Sequence, residues 1–181
     1  MSDSLLRPQD LETWASFLLR HSLGGVGPDD RVMVKGEAIA WPLIEVLERM
    51  IIQAGATPDL YLVGPNNDRG RVWSAAMARY GSPEQMARVP DWHAQRYQSM
   101  TKYIEILGSA DPAAFRNVDA AAMQRLLGVD RPFVDVRLAK PWCLTLFPTP
   151  AGAASEGMSL SEYTEFIVRA STVSRDPRNG R

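Results

Sequence analysis

The stretch "RVMVKGEAIAWPLIEVLERMIIQAGATPDLYLVG", Arg31 to Gly64, decides the fold. Its first six residues are a short β-rich run. "WPLIEVLERMIIQAGA" then places Leu43, Val46, Leu47, Met50, Ile51 and Ala54 on one helical face, and Gly55 ends the helix. "DLYLVG" is a second apolar run, too short for a helix and bounded by Asp and Gly. Strand, helix and strand at this spacing have the length of a βαβ unit, which requires a parallel pair and a right-handed crossover.

Upstream, "DLETWASFLLRHSLGG" carries Leu11, Trp14, Ala15, Leu18 and Ser22 on one helical stripe, terminated by Gly24 and Gly25. Downstream, Arg71 to Met100 reads as broken helix: Trp73, Ala76, Met77 and Tyr80 form one stripe, Ser82 and Pro83 open another segment, and Pro90 interrupts. "KYIEILG" is a third strand. "NVDAAAMQRLLG" is a short helix with Asp119 as cap and Gly128 as stop. "WCLTLF" is a fourth strand, whose continuous apolar character predicts burial on both faces. Between these two, residues 131–140 suit a strand, through Val134, Val136 and Leu138, as well as a short helix, through Phe133 and Val136. In the last helix, Ser159 and Glu162 form a capping box, and Leu160, Tyr163, Ile167 and Ala170 line one face.

These elements predict an α/β fold: a Rossmann-like three-layer sandwich with a mostly parallel sheet of four to five strands flanked by helices. Residues 1–173 are expected to form one domain, and 174–181, without an apolar anchor, a mobile tail. The 181 residues, 45% hydrophobic, are enough for a sizeable core. Twenty basic and 21 acidic side chains nearly cancel, which argues against nucleic acid or an anionic membrane as partner. The single cysteine, Cys143, excludes an intramolecular disulfide and fits a reducing, cytoplasmic compartment. Within the fourth strand it reads as inert core.

Chemical motifs are sparse. "GPNNDRGRV", from Gly64, lies between strand and helix, but Gly70 is one residue late for a phosphate-binding loop and no Lys-Ser/Thr follows. "GGVG", Gly24 to Gly27, precedes its strand and is a helix stop rather than a dinucleotide fingerprint. His21 and His93 are far apart and neither has a partner at metal-ligand spacing. His21 reads as a favourable charge at a helix C-terminus, His93 as a surface or packing residue. In a doubly wound sheet, ligands gather beyond the carboxyl ends of the strands. That rule nominates Lys35 and Glu37 after strand one, Ser109 after strand three, and Thr149 between Pro148 and Pro150. Turn formation and capping are the alternative roles for each.

Three strings carry a family resemblance: residues 30–63, "YIEILGSADPAAFRNVDAAAMQRL", and above all "WCLTLFPTPAGAASEGMSLSEYTEFIVRA" from Trp142. The last has a tryptophan strand, a Pro-Thr-Pro corner and an E-G-M-S-L-x-E-Y helix start. With these the chain resembles the N-terminal domain of metallo-aminopeptidases of the aminopeptidase T and aminopeptidase S type. The resemblance implies that two divalent metal ions are held by a C-terminal domain, and that no metal site and no catalytic residue is expected in this chain. It implies a non-catalytic domain that walls a substrate cleft and packs against the metal-binding domain, a partner subunit, or a second copy in a homo-oligomer. Two other readings remain open. One is a small-substrate enzyme using strand-end residues, with Glu37 as general acid or base. The other is a stand-alone ligand-binding or interaction module, for which an exposed tryptophan would mark the surface.

Overall fold

The structure, a computed structural model, describes residues 6–64, 72–108, 110–111 and 113–171. The expected tail at 174–181, Ser109 and most of the Gly64–Val72 loop lie outside the described residues. Helix α1 (Pro8–Phe17) continues into a π-helical turn, Leu18–Ser22, and strand β1 (Arg31–Glu37) follows. Helix α2 (Trp41–Gln53) and strand β2 (Thr57–Val63) complete the expected βαβ unit. Three short helices come next: α3 (Ala75–Tyr80), α4 (Pro83–Ala87) and α5 (Asp91–Ser99). Strand β3 (Lys102–Leu107), helix α6 (Ala120–Leu138), strand β4 (Trp142–Leu146), helix α7 (Pro150–Ser155) and helix α8 (Leu160–Ser171) complete the chain.

Among the described residues the strands form one sheet in the order β2-β1-β3-β4, parallel at every pair. The expected α/β sandwich is therefore observed, with four strands. Leaving β1, the chain goes to β2 on one side; β3 lies on the other, so the strand order reverses between β1 and β3. That reversal opens the crevice in which open α/β sheets bind ligands.

Side chains alternate across β1, and the two faces differ in chemistry. Val32 and Val34 join Ile104, Ile106, Leu43, Leu47, Trp14 and Ile167 in an aliphatic core. On the other face Met33 packs with Tyr97, Met100 and Tyr103, flanked by Tyr61, Phe133 and Val136. Gly36 faces the aliphatic side, where a Cβ would stand 3.2 Å from the Ile106 Cβ.

Four local expectations are corrected. Gly128 does not stop α6, which runs through it and through Pro132, settling residues 131–138 as helix. The Asp119 carboxylate caps it, accepting the Ala122 N–H at 3.0 Å, and the packing of Phe133 and Val136 on the aromatic face outweighs the proline. The stripe read on α3 is not its buried side: Ala75 and Ala78 are buried, whereas Tyr80 is 85% exposed. Ser22 leaves the α1 stripe because the wider π turn shifts the phase, so that Leu19 and Leu23 are buried beside the expected Leu18.

The fourth correction is β4, which is not buried on both faces. It is an edge strand, with Trp142 40%, Leu144 48% and Leu146 38% exposed. Cys143, half-buried, and Phe147, buried, join the aliphatic core, and the buried Thr145 accepts a hydrogen bond from the Trp14 Nε1 at 3.0 Å. The helical layer on the opposite side extends only as far as α6, whose Arg137 guanidinium stands 5.4 Å from the Trp142 ring.

Candidate functional site

Lys35 and Glu37 lie on the same row of β1, two residues apart and facing the α5–α6 layer. Lys35 is 2% exposed. Its Nζ donates to the Tyr97 hydroxyl at 3.0 Å and stands 5.0 Å from the centre of the Tyr61 ring. Burial holds the amine at about 8, well below an ordinary lysine, although Glu105 and Asp130 pull the other way. Glu105, opposite Lys35 in the register, is paired with Arg137 at 2.5 Å.

His93 closes this aromatic face. Its ring centre is 4.6 Å from Phe133 and 5.1 Å from Tyr97, and its Nδ1 is 3.4 Å from the Tyr61 hydroxyl. Burial first, then the nearby Lys35 and Arg96 cations, lower its pKa to about 4, so the ring is neutral in ordinary buffers. The packing role read from the sequence is what the structure gives it. The strand-end rule missed His93, Tyr61, Tyr97, Glu105 and Arg137 because they lie beneath the loops it selects. The signal was the register: with parallel strands aligned, Tyr61, Lys35 and Glu105 fall in one row across the sheet.

At the carboxyl ends of the strands, Glu37 is buried and its Oε2 accepts the Ala110 N–H at 3.0 Å. Its Oε1 has no hydrogen-bond partner among the described residues. Thr149 reaches the same turn from β4. Its Oγ1 accepts the Gly152 N–H at 3.0 Å and so caps α7, while a Cβ on Gly108 would stand 3.4 Å from its methyl group. Glu37 and Thr149 thus flank the turn that leaves β3. Lys35 is directed away from them, toward Tyr97, and Ser109 lies outside the described residues.

Elsewhere, His21 is exposed at the end of the π turn, its ring centre 5.1 Å from that of Phe17. The Cys143 thiol is pushed up to about 12 by burial, in keeping with an unreactive side chain. Trp41, Trp92 and Trp142 are exposed, and of these Trp142 belongs to a continuous apolar row. A cleft of about 340 Å³ between α1 and α8 has its charges paired internally, Arg7 with Asp10 and Arg169 with Glu165. Among the described residues no three His, Cys, Asp or Glu side chains converge. The paired cations that the resemblance implies find no matching donor set among these residues. No helix of the described residues is long and apolar enough to cross a membrane.

The thermophilic metalloprotease (M29) family matches residues 7–179 of the sequence. The chain belongs to that family. The match takes in all four strands and the Pro-Thr-Pro corner, the regions on which the resemblance rested. The fold is similar to that of wild-type AmpT from Thermus thermophilus, with a TM-score of 0.64 at 16% identity. The similarity covers 91% of this chain and 43% of that one, so this family member spans less than half the length of the protein it resembles. No curated protein matches it.

Proposed function

We propose that this chain acts as a non-catalytic, Rossmann-like domain of the metallo-aminopeptidase type, walling a substrate cleft and providing a packing edge in a cytoplasmic assembly. The observation that carries the reading is β4. An uncharged edge strand with three large apolar side chains in one row offers what an obligate neighbour covers, since isolated edges are normally blunted by charge, proline or a bulge. From Pro141 to Ser155 there is no charged residue. A metal-binding C-terminal domain or a second copy of this chain would cover that row, and the paired divalent ions of the family would be held on the covering partner.

The chain should turn over no amino-acid anilide when supplied with zinc, cobalt or manganese. Measurable peptidase activity by this chain alone rejects the reading. Family membership supports the metallo-aminopeptidase type of the domain.

A further inference from the structure

Glu37 holds a feature that packing does not explain. It is the last residue of β1, 4% exposed, at the point where the strand order reverses. One carboxylate oxygen is matched to the Ala110 N–H; the other, Oε1, is buried and has no hydrogen-bond partner among the described residues. Unmatched oxygens on a buried carboxylate are costly, and native structures hold them where something else arrives to meet them. Among the described residues, the polar hydrogens nearest in the sheet and the corner are already engaged. Lys35 Nζ is directed to Tyr97, the Gly152 N–H to Thr149, and the Ala110 N–H to the opposite oxygen.

The chemistry of the missing partner follows from what the surroundings lack. Among the described residues Glu37 belongs to no group of three His, Cys, Asp or Glu side chains of the kind that holds a divalent metal. An anion would be repelled. A donor is required, and an ammonium both fills the vacant lone pair and compensates the charge, whereas a hydroxyl does only the first. Ala110, whose N–H meets the other carboxylate oxygen, is exposed, so the turn over Glu37 borders solvent. Gly108 adds no side chain to the rim on the β3 side. We propose that Glu37 Oε1 binds the ammonium group of a small primary amine seated between the carboxyl ends of β1 and β3. This site is separate from the packing role of β4, and either can fail without the other.

The test is NMR titration of the full chain with n-butylammonium and, as the uncharged isostere, n-butanol. Saturable shifts of the Glu37 and Ala110 amides with the ammonium alone are expected. Glu37→Gln keeps an acceptor for the Ala110 N–H and the same volume, and it should weaken binding by roughly tenfold or more. Should Glu37→Gln fail to fold, the wild-type contrast between amine and alcohol still decides the matter. Absence of a saturable shift, equal response to the alcohol, or unchanged affinity in a folded Glu37→Gln protein each overturns the proposal, leaving an ordered water as the partner of Oε1.

Discussion

Lys35 donates a hydrogen bond to the Tyr97 hydroxyl at 3.0 Å while its ammonium stands against the Tyr61 ring, in the middle of the sheet's aromatic face. The folded protein holds this amine at about 8, whereas an unfolded chain protonates it up to the ordinary 10.5. Between those values the unfolded state binds more protons, so this group makes stability rise as pH increases from about 8 toward 10.5. The rise is on the order of 3 kcal/mol at most. Tyr61, Tyr97 and Tyr103, all held above the usual phenol value by burial, act in the opposite sense once pH passes 10. Urea denaturation of wild type and Lys35→Met at pH 7.5 and 9.5 isolates the lysine: the gain is expected in wild type only. Equal pH dependence in the two proteins would mean that Lys35 titrates normally.

The neutral imidazole of His93 has the corresponding consequence in acid. Its folded pKa of about 4 lies below the unfolded 6.5, so the unfolded chain takes up a proton first and stability falls as pH drops from 6.5 toward 4. The loss is about 1–3 kcal/mol. His93→Phe keeps a ring among Tyr61, Tyr97 and Phe133 and removes the proton site. Its stability should therefore fall less than that of wild type between pH 7 and 5, and parallel losses would count against a buried neutral histidine.

How much of this was legible depends on where the determining contact lies. The βαβ unit, the Asp119 cap and the Ser159–Glu162 box rest on residues near one another in sequence. In the box the Ser159 N–H donates to Glu162 and the Glu162 N–H to Ser159, as the spacing predicts. The continuation of α6 past Gly128 was not legible, because it depends on Phe133 meeting Tyr97 and His93 from another helix. The exposure of β4 was equally hidden: an apolar run reads alike whether a helix covers it or a separate partner must. Of the candidate site, the strand-end rule nominates Lys35, Glu37 and Thr149, and the structure places Glu37 and Thr149 beside the turn that leaves β3. The aromatic cage around Lys35 needed the register between β1, β2 and β3.

Gly108 is the narrowest point of the strand-end region. A Cβ there would stand 2.9 Å from the Phe147 carbonyl oxygen and 3.1 Å from the Phe147 Cβ, and both belong to the segment linking β4 to Thr149. Backbone cannot move aside as the end of a flexible side chain can. Gly108→Ala should cost about 1–3 kcal/mol by overpacking, read as a lowered urea midpoint with an unchanged slope. A variant as stable as wild type would show that the β3 and β4 exits are not this closely apposed.

Thr149 tests whether the corner is held by its hydroxyl. Thr149→Val preserves the methyl contact but removes the acceptor for the Gly152 N–H, and about 1 kcal/mol should be lost. Thr149→Ser retains the oxygen and should lose less. If Val and Ser destabilise equally, the methyl packing against the Gly108 turn matters more than the cap.

Leu144 is the centre of the exposed row on β4, half open to solvent at 48%. A lysine there would cost the isolated domain little, since substitutions at open surface usually stay within about 0.5 kcal/mol. The same charge would be buried and unpaired wherever the row is covered, at a cost of several kcal/mol per ion. Sedimentation velocity over a range of concentrations distinguishes the two situations for self-association. Wild type is expected to sediment faster as concentration rises, and Leu144→Lys to remain at the monomer value with unchanged thermal stability. If both proteins stay monomeric, a second copy is not what covers β4, and the proposed packing role is left to a different partner. If both associate equally, the interface lies on another surface and β4 loses its place in the proposal.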